Sequence, residues 1–127
     1  MLKKQKKLVL TEAGREAMRR AGRVNAQLMD HLRDHVRAGI RTAEIDDLVV
    51  RWTNDHGHQA ATLGYQNFPK SCCTSVNEVI CHGIPGDQVL KDGDIVNVDI
   101  TTVVDGWHGD QSETFRAEFR FCHDLVT

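Results

Sequence analysis

The chain has no apolar run long enough to span a bilayer and no apolar signal core near its N-terminus, so nothing in it predicts a membrane protein or a secreted one. It has no large excess of either charge: 16 basic against 18 acidic residues give a formal net charge of -2. At the level of the whole chain this gives no support for a nucleic-acid or membrane partner. Four cysteines (Cys72, Cys73, Cys81 and Cys122) show no C-x-x-C spacing, which argues against a zinc knuckle and for reduced thiols in a cytosolic protein. No internal repeat and no low-complexity segment is present. What remains is ordinary for one globular domain, or part of one: 127 residues, 40% hydrophobic and 27% charged.

Residues 1–10 carry Lys3, Lys4, Lys6 and Lys7 and read as a solvated basic arm, with contact to RNA as the thinner alternative. Thr11 is placed to cap a helix running to about His35 or Val36. Ala17, Ala21, Val24, Leu28, Leu32 and Val36 recur at three- and four-residue steps and give it one apolar stripe. Gly39 ends this unit. Thr42 is placed to cap a second helix, with Glu44, Asp46 and Asp47 favouring the positive end of its dipole. Ile45, Leu48, Val49 and Trp52 form its buried face, and Gly57 stops it. For His31, His35, His56 and His58, surface or capping roles are expected rather than metal binding.

After Gly57 the texture changes to short β-like runs: Cys72 to Val76, Val79 to Cys81, Ile95 to Val104 and Trp107 to Phe115. Two helices followed by antiparallel strands predict an α+β fold, the helices packed on the sheet. The most informative segment is Val98 to Asp110. Ile95 to Val104 is rich in β-branched residues and free of Pro and Gly. Asp105-Gly106 suits a two-residue type I′ turn, whose two positions both need φ > 0. That turn pairs Val104 with Trp107, Thr101 with Asp110 and Asp99 with Ser112. Side chains alternate along a strand, so Asp99 shares a face with Thr101 and becomes a diagonal neighbour of Asp110, about 7 Å away or less. Two carboxylates that close repel unless something positive lies between them. A divalent metal, or a pair roughly 3.5–4 Å apart, fits that gap; two strand-end acids in water are the plainer alternative.

At this point the residues resemble a known family. Asn77-Glu78-Val79-Ile80-Cys81-His82-Gly83-Ile84-Pro85, then Asp92-Gly93-Asp94-Ile95-Val96-Asn97-Val98-Asp99-Ile100-Thr101, then Asp105-Gly106-Trp107-His108-Gly109-Asp110 look like the type I methionine aminopeptidases. Glu16-Ala17-Met18-Arg19-Arg20-Ala21-Gly22-Arg23 looks like that family's first helix. The resemblance covers about Glu16 to Phe115, leaving residues 1–10 as an arm and residues 116–127 as a divergent tail. It implies the N-terminal half of a "pita-bread" fold of two pseudo-symmetric halves, a site for two divalent metals between them, and removal of the initiator methionine from nascent proteins in the cytoplasm, near the ribosome. Asp99 and Asp110 match the two aspartate ligands, Asp99 chelating one metal and Asp110 bridging both. His82 matches the histidine that contacts substrate near the scissile bond. Tyr65 and Cys72 lie where the family lines its methionine pocket. Carboxylate ligands suit Co, Mn, Fe, Zn or Mg. His108 is expected to support the ligands rather than to be one.

The family takes its remaining ligands, one histidine and two glutamates, from its second half, and no such half is expected in this sequence. Half a site leaves two function classes open: a metal-dependent aminopeptidase by lineage, or a non-catalytic binding or interaction module that keeps the half-fold. Self-association through the open half-site is a further expectation.

Overall fold

The computed structural model describes residues 9–119. The lysines of the basic arm and residues 120–127 of the tail lie outside the described residues. The elements are α1 (Glu12–Arg33), α2 (Thr42–Asp55), β1 (Gln59–Ala60), a 3-10 turn (Tyr65–Asn67), β2 (Cys73–Val76), β3 (Ile95–Val104) and β4 (Trp107–Arg116). Among the described residues no helix is long and apolar enough to cross a membrane.

The caps explain the helix boundaries. The Thr11 hydroxyl accepts from the Gly14 amide at 3.1 Å and starts α1. The helix ends at Arg33, two or three residues before its expected end, where the chain tightens so that His35 and Val36 amides both donate to the Leu32 carbonyl. Thr42 does not cap α2. Arg41 is the capping residue, its amide donating to the Glu44 carboxylate at 2.7 Å. The Thr42 hydroxyl instead holds the Gly86 backbone from both sides: it donates to the carbonyl at 3.1 Å and accepts from the amide at 2.8 Å. Gly57, at φ +72°, does end the second helix.

All strand pairs are antiparallel. β3 is the axis: β1 and β2 share one of its edges, and β4 pairs along the other. The turn joining β3 to β4 has positive φ at both Asp105 (49°) and Gly106 (82°), as a type I′ turn requires. The expected register holds throughout, with Val104 opposite Trp107, Thr101 opposite Asp110 and Asp99 opposite Ser112. One expected strand does not form. The chain leaves the sheet at Asn77 (φ +51°), and residues 79–81 run as an irregular loop. Asn77 replaces the lost ladder with its side chain, accepting from the Ile95 amide and donating to Asp94.

One face of β3 is dry. Val96, Val98 and Ile100 pack against Leu28, Met29 and Leu32 of α1 and Ile45 and Val49 of α2, with Leu48 and Trp52 at the margin. Ala117, just past β4, is fully buried in the same core. The opposite face carries Asn97, Asp99, Thr101 and Val103, all only half-buried. The apolar core thus closes on the helix side and leaves the other side of the sheet open to build a site.

Candidate metal centre

Strand alternation sets the site, and two close approaches hold it. Gly109 lies so near α1 that a Cβ there would sit 2.3 Å from the Ala21 carbonyl oxygen. The buried Asn25 side chain reaches across from α1 and donates to the carbonyls of Gly109 (2.8 Å) and Ile100 (3.2 Å) and to the Thr102 hydroxyl (3.1 Å). It pins both strands of the hairpin one residue away from Asp110. The sequence alone does not single out Asn25 as a positioning residue. Its signal was a lone polar residue inside the apolar stripe of α1, between Ala21 and Leu28.

The second approach is at Gly83, where a Cβ would sit 2.0 Å from the Thr74 carbonyl oxygen. The loop therefore lies flat on β2: the Thr74 amide donates to the Gly83 carbonyl at 2.9 Å, and the Gly83 amide to the Ser75 hydroxyl at 3.1 Å. His82, at φ +56°, is turned by this loop towards the open face of the sheet.

These elements enclose an open cavity of about 480 Å³ whose lining includes Asp99, Asp110, His82, Tyr65, Cys73 and His108. Asp99, Asp110, His82 and Tyr65 thus line one cavity. Cys72 does not join them. It is fully buried in the apolar core on the helix side, where burial, then Asp46, pushes its thiol far up. The cysteine on the cavity is Cys73. Neighbouring residues of a strand point to opposite faces, and Cys73 pairs directly with Asp99. The carboxylate of Asp46 accepts from the amides of Ser71 and Cys72, fixing this strand against α2.

The electrostatics are those of a crowded acidic corner. Partial burial, and then the neighbouring Asp110, hold the Asp99 carboxyl above the usual carboxylate range, while His82 pulls it back down. Burial, Asp99 and Cys81 push the Cys73 thiol up to about 11. A cation between Asp99 and Asp110 would relieve that repulsion. Oxygen donors of this kind suit hard or borderline divalent ions, so the two residues fit such an ion as two of its anchors. Among the described residues no group of three or more His, Cys, Asp or Glu side chains is arranged to enclose one.

Residues 16–125 match the model of metallopeptidase family M24. The chain belongs to that family. Over 101 residues it is 57% identical to methionine aminopeptidase A of Synechocystis, a match that covers 79% of this chain and 40% of that protein. The Escherichia coli methionine aminopeptidase is 47% identical over 102 residues, with 39% of its length covered. The chain therefore spans about two-fifths of the length of these curated relatives. Among solved structures, the methionine aminopeptidase of Rickettsia prowazekii superposes with a TM-score of 0.85 at 43% identity, covering 87% of this chain and 45% of that one. Aminopeptidase P of Escherichia coli superposes with a TM-score of 0.70 at 23% identity, which is a likeness of fold. In M24 terms, the chain is an α+β unit of two helices on an antiparallel sheet, matching under half of each of these two pita-bread structures.

Proposed function

We propose that this chain carries the aspartate-bearing part of a methionine aminopeptidase centre. In this reading Asp99 and Asp110 would be the chain's own ligands to divalent ions of the Co, Mn, Fe, Zn or Mg class. Bound ions of this kind supply a water of lowered pKa and polarise a carbonyl oxygen. The chain's own residues do the positioning. His82 stands beside Asp99, exposed, where it would hydrogen-bond the substrate amide near the scissile bond. Tyr65, Phe68 and Cys73 give the cavity an apolar flank suited to an unbranched thioether side chain. Cys73, rather than Cys72, takes the pocket-lining role. A reducing cytoplasmic setting suits the free thiols at Cys72, Cys73 and Cys81, and work on nascent chains would bring the site near the ribosome.

The observation that supports this reading best is the convergence of Asp99 and Asp110 on one cavity wall with His82. The test is a Mn²⁺ titration of the 127-residue chain followed by electron paramagnetic resonance. Weak binding that disappears in Asp99→Asn and in Asp110→Asn is the expected result. Binding unaffected by either change would overturn the metal assignment and leave a non-catalytic module.

A further inference from the structure

We propose that His31 and His35 form a second metal site, on the helix layer and apart from the hairpin carboxylates, which takes an imidazole-preferring divalent ion such as Ni²⁺ or Zn²⁺. His31 is in the last turn of α1, and His35 lies just past its capping residue, Asp34. The tightened turn that ends the helix, with the His35 and Val36 amides both donating to the Leu32 carbonyl, brings the His35 side chain back over His31, at the sequence spacing by which paired histidines hold zinc. Their rings are in contact, with centroids 4.6 Å apart and planes tilted by 49°.

The tautomer is set for ligation. His35 Nδ1 lies 2.8 Å from the His31 carbonyl oxygen. A carbonyl only accepts, so Nδ1 carries the proton and the neutral ring keeps its lone pair on Nε2. Holding a ligand imidazole through its other nitrogen is the usual arrangement around metals. Burial, with His35 and His56 adding to it and Asp34 opposing it, holds the His31 ring below its ordinary range. The local field also favours a cation: the last carbonyls of α1 carry partial negative charge, and Asp34 is the capping residue there. Beyond His35 the surface is of mixed sign, with Glu44 and Asp47 interleaved among Arg37, Arg41 and Arg51.

A pair is all this site has, since among the described residues no third His, Cys, Asp or Glu closes it. The other coordination positions fall to water or to a donor from outside, so the site is open and exchangeable. Imidazole donors suit Zn, Cu and Ni, whereas Mg²⁺ prefers oxygen. The structure also supplies a reporter. His56, which helps to depress His31, is stacked on Trp52 with ring centroids 3.8 Å apart.

The experiment uses the 127-residue chain with Asp99→Asn and Asp110→Asn, so that the hairpin carboxylates are silent, and with Trp107→Phe, so that Trp52 is the one indole left of two. Ni²⁺ is titrated by calorimetry and by indole fluorescence. The expected result is saturable binding that quenches Trp52 and weakens by at least about tenfold in His31→Ala and in His35→Ala. Mg²⁺ should neither bind nor quench. His35→Gln keeps a donor for the His31 carbonyl, so loss of Ni²⁺ binding in that variant with an unchanged far-UV spectrum assigns the loss to the ligand rather than to the helix. Equal Ni²⁺ affinity in the His31→Ala/His35→Ala double variant, or no saturable binding at all, would overturn the proposal.

Discussion

The Thr101 hydroxyl donates to Asp110 Oδ1 at 3.0 Å, across a directly opposed pair of the β3–β4 hairpin. The bond fixes one oxygen of the more exposed carboxylate. Its neighbour Asp99 is the more buried of the two and has its carboxyl pushed up by burial and by Asp110. The asymmetry governs how the site responds to pH and to substitution.

Asp99→Asn should stabilise the metal-free chain at neutral pH. A carboxyl whose folded-state pKa lies above its unfolded value binds more protons folded than unfolded between those two values. Stability therefore falls as pH rises through that window and stays lower above it. Thermal melts from pH 3 to 8 should show the variant melting higher than the parent near neutrality, with the gap closing as pH drops into the ordinary carboxylate range. A parent chain that melts higher at pH 7 would mean that something compensates the Asp99 charge.

The 127-residue chain alone should be close to inactive as a peptidase. Two carboxylates anchor divalent ions weakly, and among the described residues the histidine and two glutamates implied by the family resemblance have no counterparts converging on them. Incubation with a Met-Ala-Ser peptide and Co²⁺ or Mn²⁺ should release methionine far more slowly than about 1 s⁻¹, the low end of ordinary enzyme turnover. A rate at or above that would mean that the ligand set is completed by another route.

Two glycine substitutions should have opposite signs. Gly83→Ala forces a Cβ to within 2.0 Å of the Thr74 carbonyl oxygen. The loop must lift off β2, at about 1–3 kcal/mol, and His82 moves with it. Gly22 sits in mid-α1 with nothing within 4 Å of its would-be Cβ. Gly22→Ala should stabilise by roughly 0.4–1 kcal/mol. Urea unfolding of the two variants against the parent measures both.

The open face should make the chain self-associate. Ile80 is 93% exposed and Ile84 61%, on either side of His82, while Tyr65 is 68% exposed at the rim of the cavity. β4 has β3 on one edge and no described strand on the other, and unpaired edges invite pairing. Sedimentation velocity should show concentration-dependent species larger than monomer, reduced in Ile80→Ser/Ile84→Ser. A monomer at all concentrations would show that this face tolerates water.

The hairpin was legible because its information is local. Turn chemistry and alternation over about ten residues set the register, and the register sets which side chains share a face. α1 was legible for the same reason, although its last turn was overestimated because the apolar stripe continues through Val36 after the helix has tightened. The misreadings depend on distant partners. Whether Cys72 or Cys73 faces the cavity depends on how β2 pairs with β3, across some 25 residues of sequence. Residues 79–81 have strand-like composition, but the loop is shaped by what Gly83 touches on β2. Thr42 looks like a cap, yet its hydroxyl serves Gly86, 44 residues away. β1 is two residues long and carries no pattern of its own.

β3 has a parity. Its even-numbered residues from Val96 to Val104 are buried, and its odd-numbered residues from Asn97 to Val103 are half-exposed. An insertion or deletion of one residue between Ile95 and Asp99 would therefore do more than move the carboxylate by about 3.3 Å along the strand. It would exchange the two faces, turning Asp99 into the apolar layer and a valine onto the cavity. A change of two residues would restore the pattern. In this stretch, lineages of the chain should gain or lose residues in pairs or not at all, a constraint that leaves no mark on the residue identities themselves.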